Sequence, residues 1–125
     1  MQRVWIGLGG LAGFAAVAMA AVSAHVVPPD AGGVVAQGAR GIIANGVQMQ
    51  GWHALALIGT GLWVPRGGRL ADAAGFAFTL GILLFCGAVY SQAIGGVSLG
   101  PVAPAGGTLL MIGWLLLGAS ALRGR

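Results

Sequence analysis

The chain has 125 residues, of which 58% are hydrophobic and 6% charged, with a formal net charge of +4 and a mean hydropathy of +0.93. Even a well-packed globule must solvate its exterior, and so little polar surface excludes a domain dispersed in water; the solvent is a bilayer. The 25 glycines lie among Ala, Leu, Ile and Val, the usage of closely packed membrane helices and not of a linker, and no basic cluster interleaved with aromatics offers a nucleic-acid surface.

The first apolar run covers about residues 4–27, broken only by Ser23 and His25, and exceeds the roughly 20 residues that a helix needs to cross a bilayer. Ala12, Ala16, Ala20 and Ala24 repeat at a spacing of four, and Gly9 and Gly13 add a second such pair, so a neighbouring helix can approach this ridge closely. Packing inside the bundle is the plain use of the ridge, and a homodimer seam is the other. Arg3, the apolar run and "AVSAH" also imitate a secretory signal cut after Ala24; we read the segment as retained.

The segment at about 33–46 places Val35, Ala39, Ile42 and Ile43, with Val47 just beyond, at helical spacing, and Gln37, Arg40 and Asn45 on the other side, which predicts a short interfacial helix lying on the outer membrane surface. A second span, about 47–64, ends where Pro65, Gly67 and Gly68 stop it. A third covers about 71–94, with Asp72 at its favoured N-terminal end. A fourth covers about 104–122, with Pro101 and Pro104 where a missing N–H costs nothing. The predicted architecture is an all-α membrane protein, a four-transmembrane-helix bundle forming one integral domain over residues 1–125.

Arg3 precedes the first span, Arg66 and Arg69 lie between the second and third, and Arg123 and Arg125 follow the fourth, so the positive-inside rule puts both termini in the cytoplasm of a bacterial inner membrane. Only Arg40 falls outside this pattern.

With that topology His25, Gln48, Gln50, His53, Tyr90, Ser91 and Gln92 gather towards the outer end, while the inner half has Thr60 and Thr79. A polar ring in hydrocarbon needs a partner, so His53 is expected to face the bundle interior and to bond near the outer ends of the first and third spans, with His25 or Tyr90 as partner. Trp5, Trp52 and Trp63 fit interfacial anchors. Cys86, alone and mid-span, fits a small apolar filler. The spans lack internal carboxylates and His25 and His53 differ in depth, so neither a metal nor another cofactor is expected. No nucleophile–base pair, phosphate loop or carboxylate pair is present, and the chain is not expected to be an enzyme.

The pieces "SAH", "GVQMQGWHALAL", "GILLFCGAVY" and "PAGGTLLMIGWLLL" occur in this order along nearly the whole chain and resemble the bacterial YgdD-like family of small four-span membrane proteins, which is defined by a domain of unknown function. The resemblance implies a four-helix inner-membrane protein and supplies no reaction. His25, Gln50, His53, Tyr90, Pro104, Gly106, Gly107 and Trp114 match the family's motif positions, whereas Met49 stands where the family usually has an aromatic residue.

Two functions are weighed. The first is an accessory bundle that docks onto other membrane helices, as a subunit of a larger complex or as a homo-oligomer. The alternative is binding or transport of a small lipophilic molecule, a quinone or lipid, at the outer polar layer through His25, Gln50, Trp52, His53 and Tyr90.

Overall fold

In a computed structural model of the chain, residues 1–26 and 33–123 are described, and these are helical with no strand among them: α1 is Gln2–Val26, α2 is Val34–Gly95 and α3 is Val102–Arg123. All three contain stretches long and apolar enough to cross a membrane. As a straight rod the 62 residues of α2 would measure about 93 Å, three times the ~30 Å hydrocarbon core.

The rod is not straight. Gly46 packs against the Tyr90 ring, although 44 residues of unbroken helix would hold them about 66 Å apart. The reversal is at Gly68, the one non-helical residue inside α2, with φ 57° and ψ −143°. A Cβ is sterically excluded from that conformation, so only glycine enters it without strain. Two antiparallel arms result, residues 34–67 and 69–95. Pro65 marks the approach to the break, because it removes the amide that would donate to the Gly61 carbonyl, yet helical geometry continues through Gly67. The second arm ends at Gly96, whose left-handed φ of 66° lets its N–H reach the Gln92 carbonyl at 3.1 Å.

The segment at 33–46 differs from expectation. It is not a separate interfacial helix that turns into the next span; from Val34 it is continuous with the first arm, and no residue before Gly68 leaves helical geometry. Its glycines sit in open space or, at Gly46, under a tyrosine ring, so they do not force a bend.

α1 and α3 each pack on both arms of α2, and no Cα pair joins α1 to α3 within 8 Å. α1 runs antiparallel to the first arm in close register: a Cβ on Gly9 would stand 2.8 Å from the Ala54 carbonyl, and one on Gly61 2.8 Å from the Gln2 carbonyl. α3 runs antiparallel to the second arm by the same device, with Gly106 against the Phe85 backbone, Gly81 against Leu110 and Gly113 against the Phe78 ring. In each case the missing side chain is what permits two backbones, or a backbone and a ring, to touch. Between these seams lies one core that includes Trp5, Leu57, Ala74, Phe78, Ile82, Cys86 and Leu110.

The small-residue ridge of α1 divides along its length. Gly9 and Ala16 are buried, Ala12 packs against the core, Gly13 lies 3.8 Å from the Ala54 Cβ by the same construction, and Ala20 is exposed.

Two glycine substitutions are expected to separate conformation from packing. Gly68→Ala should lower stability by about 1–3 kcal/mol, the scale of a forced unfavourable φ/ψ. Gly87→Ala, in the second arm with open space at its Cβ position, should be neutral or stabilising by up to about 1 kcal/mol. Detergent-solubilised thermal or denaturant unfolding of both variants gives the comparison.

Candidate functional site

Two bonded groups of polar side chains stand midway along the first arm, around Gln50 and His53. In the first, Gln50 is 5% exposed and joins three helical segments: its Nε2 donates to the Ala12 carbonyl of α1 at 3.1 Å, and its Oε1 accepts the Tyr90 hydroxyl of the second arm at 2.7 Å. The flat Gly46 surface, one turn before Gln50, admits the Tyr90 ring. The Cys86 thiol donates to the Gly46 carbonyl at 3.7 Å, a weak contact that fills the layer below.

The second group centres on His53, one turn along the first arm from Met49 and 4% exposed. Its Nδ1 lies 2.6 Å from the Met49 carbonyl, and the Trp114 indole of α3 donates to its Nε2 at 3.1 Å. A carbonyl can only accept and an indole N–H can only donate, so both bonds form together only in the neutral tautomer that carries its proton on Nδ1. Phe78 closes the apolar side, its ring centroid 5.7 Å from that of His53 and 5.3 Å from that of Trp114.

His53 thus faces inward, but its side-chain partner is Trp114. Tyr90 is taken by Gln50, and His25 is exposed at the end of α1. The polar residues expected at one level do not converge either: Gln48 and Gln92 are exposed, and Ser91 bonds the Val97 carbonyl of the following loop.

Nearer Gly68 the molecule carries polar ties that sequence reasoning missed. The Trp5 indole donates to Asp72 Oδ1 at 2.7 Å, with its ring against Gly75, and the Trp63 indole donates to Ser120 Oγ at 2.9 Å. Trp5, expected as an interfacial anchor, is instead 1% exposed and part of the core, because the glycine at position 75 leaves a slot for the ring. Trp63 is half-buried, and Trp52 is exposed on the first arm. These ties bring Arg3, Arg66, Arg69 and Arg123 to the Gly68 end of the molecule, since each lies within three residues of Trp5, Trp63, Asp72 or Ser120.

Thr60 and Thr79 bond the carbonyls of Ala56 and Gly75 within their own helix. Among the described residues no buried side-chain nitrogen or oxygen lacks a partner, and no three of His, Cys, Asp and Glu lie together. Beside the Gln50–Tyr90 pair an apolar groove of about 220 Å³ opens between α1 and both arms, lined by Leu8, Leu11, Ala12 and Leu83 among others.

Comparison with known proteins agrees with this picture of a small apolar helical protein. The profile of a family described as "Protein of unknown function (DUF423)" matches residues 19–107, a stretch that contains Gln50, His53 and Tyr90. A UPF0382 membrane protein of Haemophilus influenzae is 29% identical over 126 residues, covering all of this chain and 98% of its own length. The UPF0382 inner membrane protein YgdD of Escherichia coli K12 is 31% identical over 124 residues, covering 98% and 92% respectively. A UPF0382 membrane protein of Staphylococcus epidermidis is 32% identical over 123 residues, covering 98% of both chains. No solved structure matches.

A double-mutant cycle measures the His53–Trp114 bond. His53→Leu and Trp114→Phe should each destabilise the protein, and the double variant should lose less than their sum, by a coupling of about 0.5–1.5 kcal/mol. Additive losses in a denaturant series would show that the two rings do not share a bond.

Proposed function

The chain belongs to the DUF423 family of bacterial membrane proteins, and on that premise we propose that it is a four-span accessory bundle of the inner membrane that docks onto other membrane helices, in a larger complex or as a homo-oligomer. The two arms of α2 serve as separate spans in this reading, joined by the Gly68 turn. Both termini and that turn face the cytoplasm, as the positive-inside rule asks of Arg3, Arg66, Arg69 and Arg123 at one end of the molecule.

One observation carries the accessory role. The polar groups of Gln50, His53, Tyr90 and Trp114 are spent in bonds that tie helix to helix, while large apolar side chains such as Phe14, Val17, Leu55 and Leu115 cover the outside. A chemical centre in hydrocarbon would hold an ionisable group open to a substrate; here Gln50, His53 and Tyr90 act as structural connectors, and no catalytic step is assigned.

The quinone or lipid alternative is favoured by the groove beside Gln50. Against it, the Gln50 amide and the Tyr90 hydroxyl already bond each other, and His25 stands apart from both. Purification from native membranes in mild detergent separates the two: a stoichiometric partner chain or a defined oligomer supports docking, and a monomer that carries quinone supports the alternative.

Topology has its own test. With Cys86 replaced by Ala, a cysteine at Ser98 should react with an impermeant maleimide in intact spheroplasts, whereas one at Leu122 should react only after the membrane is opened. Labelling of Leu122→Cys from outside contradicts the orientation.

A further inference from the structure

The face where the first arm of α2 meets α3 is not used by the bonded pairs. Trp52, Leu55, Ala56, Gly59, Trp114 and Leu117 border an open apolar groove of about 560 Å³. A further 280 Å³ is bordered by Gly59, Trp63, Leu117 and Ala121, and the shared residues make the two one continuous trough. Gly59 has open space where a side chain would stand, and Trp52, Leu55 and Trp114 are each at least half exposed. Along the helix, Trp52 and Trp63 are separated by a rise of about 16 Å, close to the ~15 Å of hydrocarbon in a single leaflet.

Two exposed arginines stand near the end of the trough: Arg66 follows Trp63 by one turn, and Arg123, the last residue of α3, lies two residues past Ala121 and about half a turn around the helix, within the reach of a long side chain. Asp72, the one carboxylate described at that end, accepts the Trp5 indole and forms no ion pair with a described arginine. The positive charge is therefore unbalanced where an apolar channel of acyl-chain length reaches the membrane surface.

We propose that this trough holds one anionic phospholipid, an acyl chain lying along Trp52, Gly59 and Leu117 and the phosphate against Arg66 and Arg123. Guanidinium groups are weakly hydrated and match phosphate oxygens in a two-pronged geometry, which selects an anionic headgroup over a zwitterionic one of equal chain length. The inference rests on the membrane-spanning reading above and is independent of any protein partner.

The test uses the full chain in nanodiscs of phosphatidylcholine that contain a small fraction of lipid brominated on its acyl chain, either phosphatidylglycerol or phosphatidylcholine. Bromine quenches nearby tryptophans; Trp52, Trp63 and Trp114 line the trough, while Trp5, 1% exposed, supplies a protected baseline. Brominated phosphatidylglycerol should quench at about tenfold lower mole fraction than brominated phosphatidylcholine. The Arg66→Gln, Arg123→Gln pair should abolish that preference, and Arg3→Gln, Arg69→Gln should preserve it. Equal quenching by the two lipids overturns the proposal, as does equal loss in both variant pairs, which would reveal diffuse charge only. So does absence of quenching together with a cross-linked dimer, which would put a second copy in the trough. Both leaflets carry the probe, so the result does not depend on which end faces the cytoplasm, and failure here leaves the topology to be decided by cysteine labelling.

Discussion

An N–H or O–H group placed in hydrocarbon has no water to bond, and this constraint organises the molecule. Three of the four tryptophans meet it in the same way: Trp5 donates to Asp72, Trp63 to Ser120 and Trp114 to His53, each across more than fifty residues of sequence and each between different helices. Tyr90 and Gln50 add a fourth tie between the two arms. Every one of these bonds fixes the register of a helix pair as well as satisfying a donor, since sliding either helix by one turn would leave the donor facing apolar side chains. Hydrophobic burial cannot do this, because lipid tails are as apolar as the side chains they would exchange with.

Glycine supplies the complementary half. Indole and phenol rings are wide, and two of them reach their acceptors by lying against a residue without a side chain, Trp5 on Gly75 and Tyr90 on Gly46, while the Phe78 ring that packs beside His53 and Trp114 lies on Gly113. At Gly68 the requirement is conformational, and that one residue turns a single long helix into a hairpin of two antiparallel arms. The same hairpin places α1 and α3 apart from one another and leaves the trough between the first arm and α3 open.

Much of this was legible in the sequence. Apolar length gave the helical segments, and Pro65 with Gly67 and Gly68 marked the reversal to within a few residues. That His53 would face inward followed from the cost of an unpartnered ring. Its partner was not legible: the choice of Trp114 over His25 or Tyr90 depends on how deeply α3 settles against the second arm, which Gly81, Gly106 and Gly113 decide through backbone contact. Trp5 was misread for a related reason. A Trp near a span end satisfies the aromatic-belt pattern whichever way its ring points, and helices that are apolar all round offer no polar stripe to show which face is buried. The continuity of residues 33–46 with the first arm was hidden by their glycines and polar residues, which in water argue against helix but cost less where neighbouring helices and bilayer favour internal backbone bonding.

Polar residues of the interior bond one another across helices, and the His53–Trp114 pair shows this most sharply. Nitrogen-15 NMR of the protein in bilayers, labelled at histidine and tryptophan, reads both the protonation of His53 and the N–H···N bond through its scalar coupling. The account predicts a neutral His53 with its proton on Nδ1 and a coupling from its Nε2 to Trp114 Nε1. A proton on Nε2 with no coupling to Trp114 would contradict it.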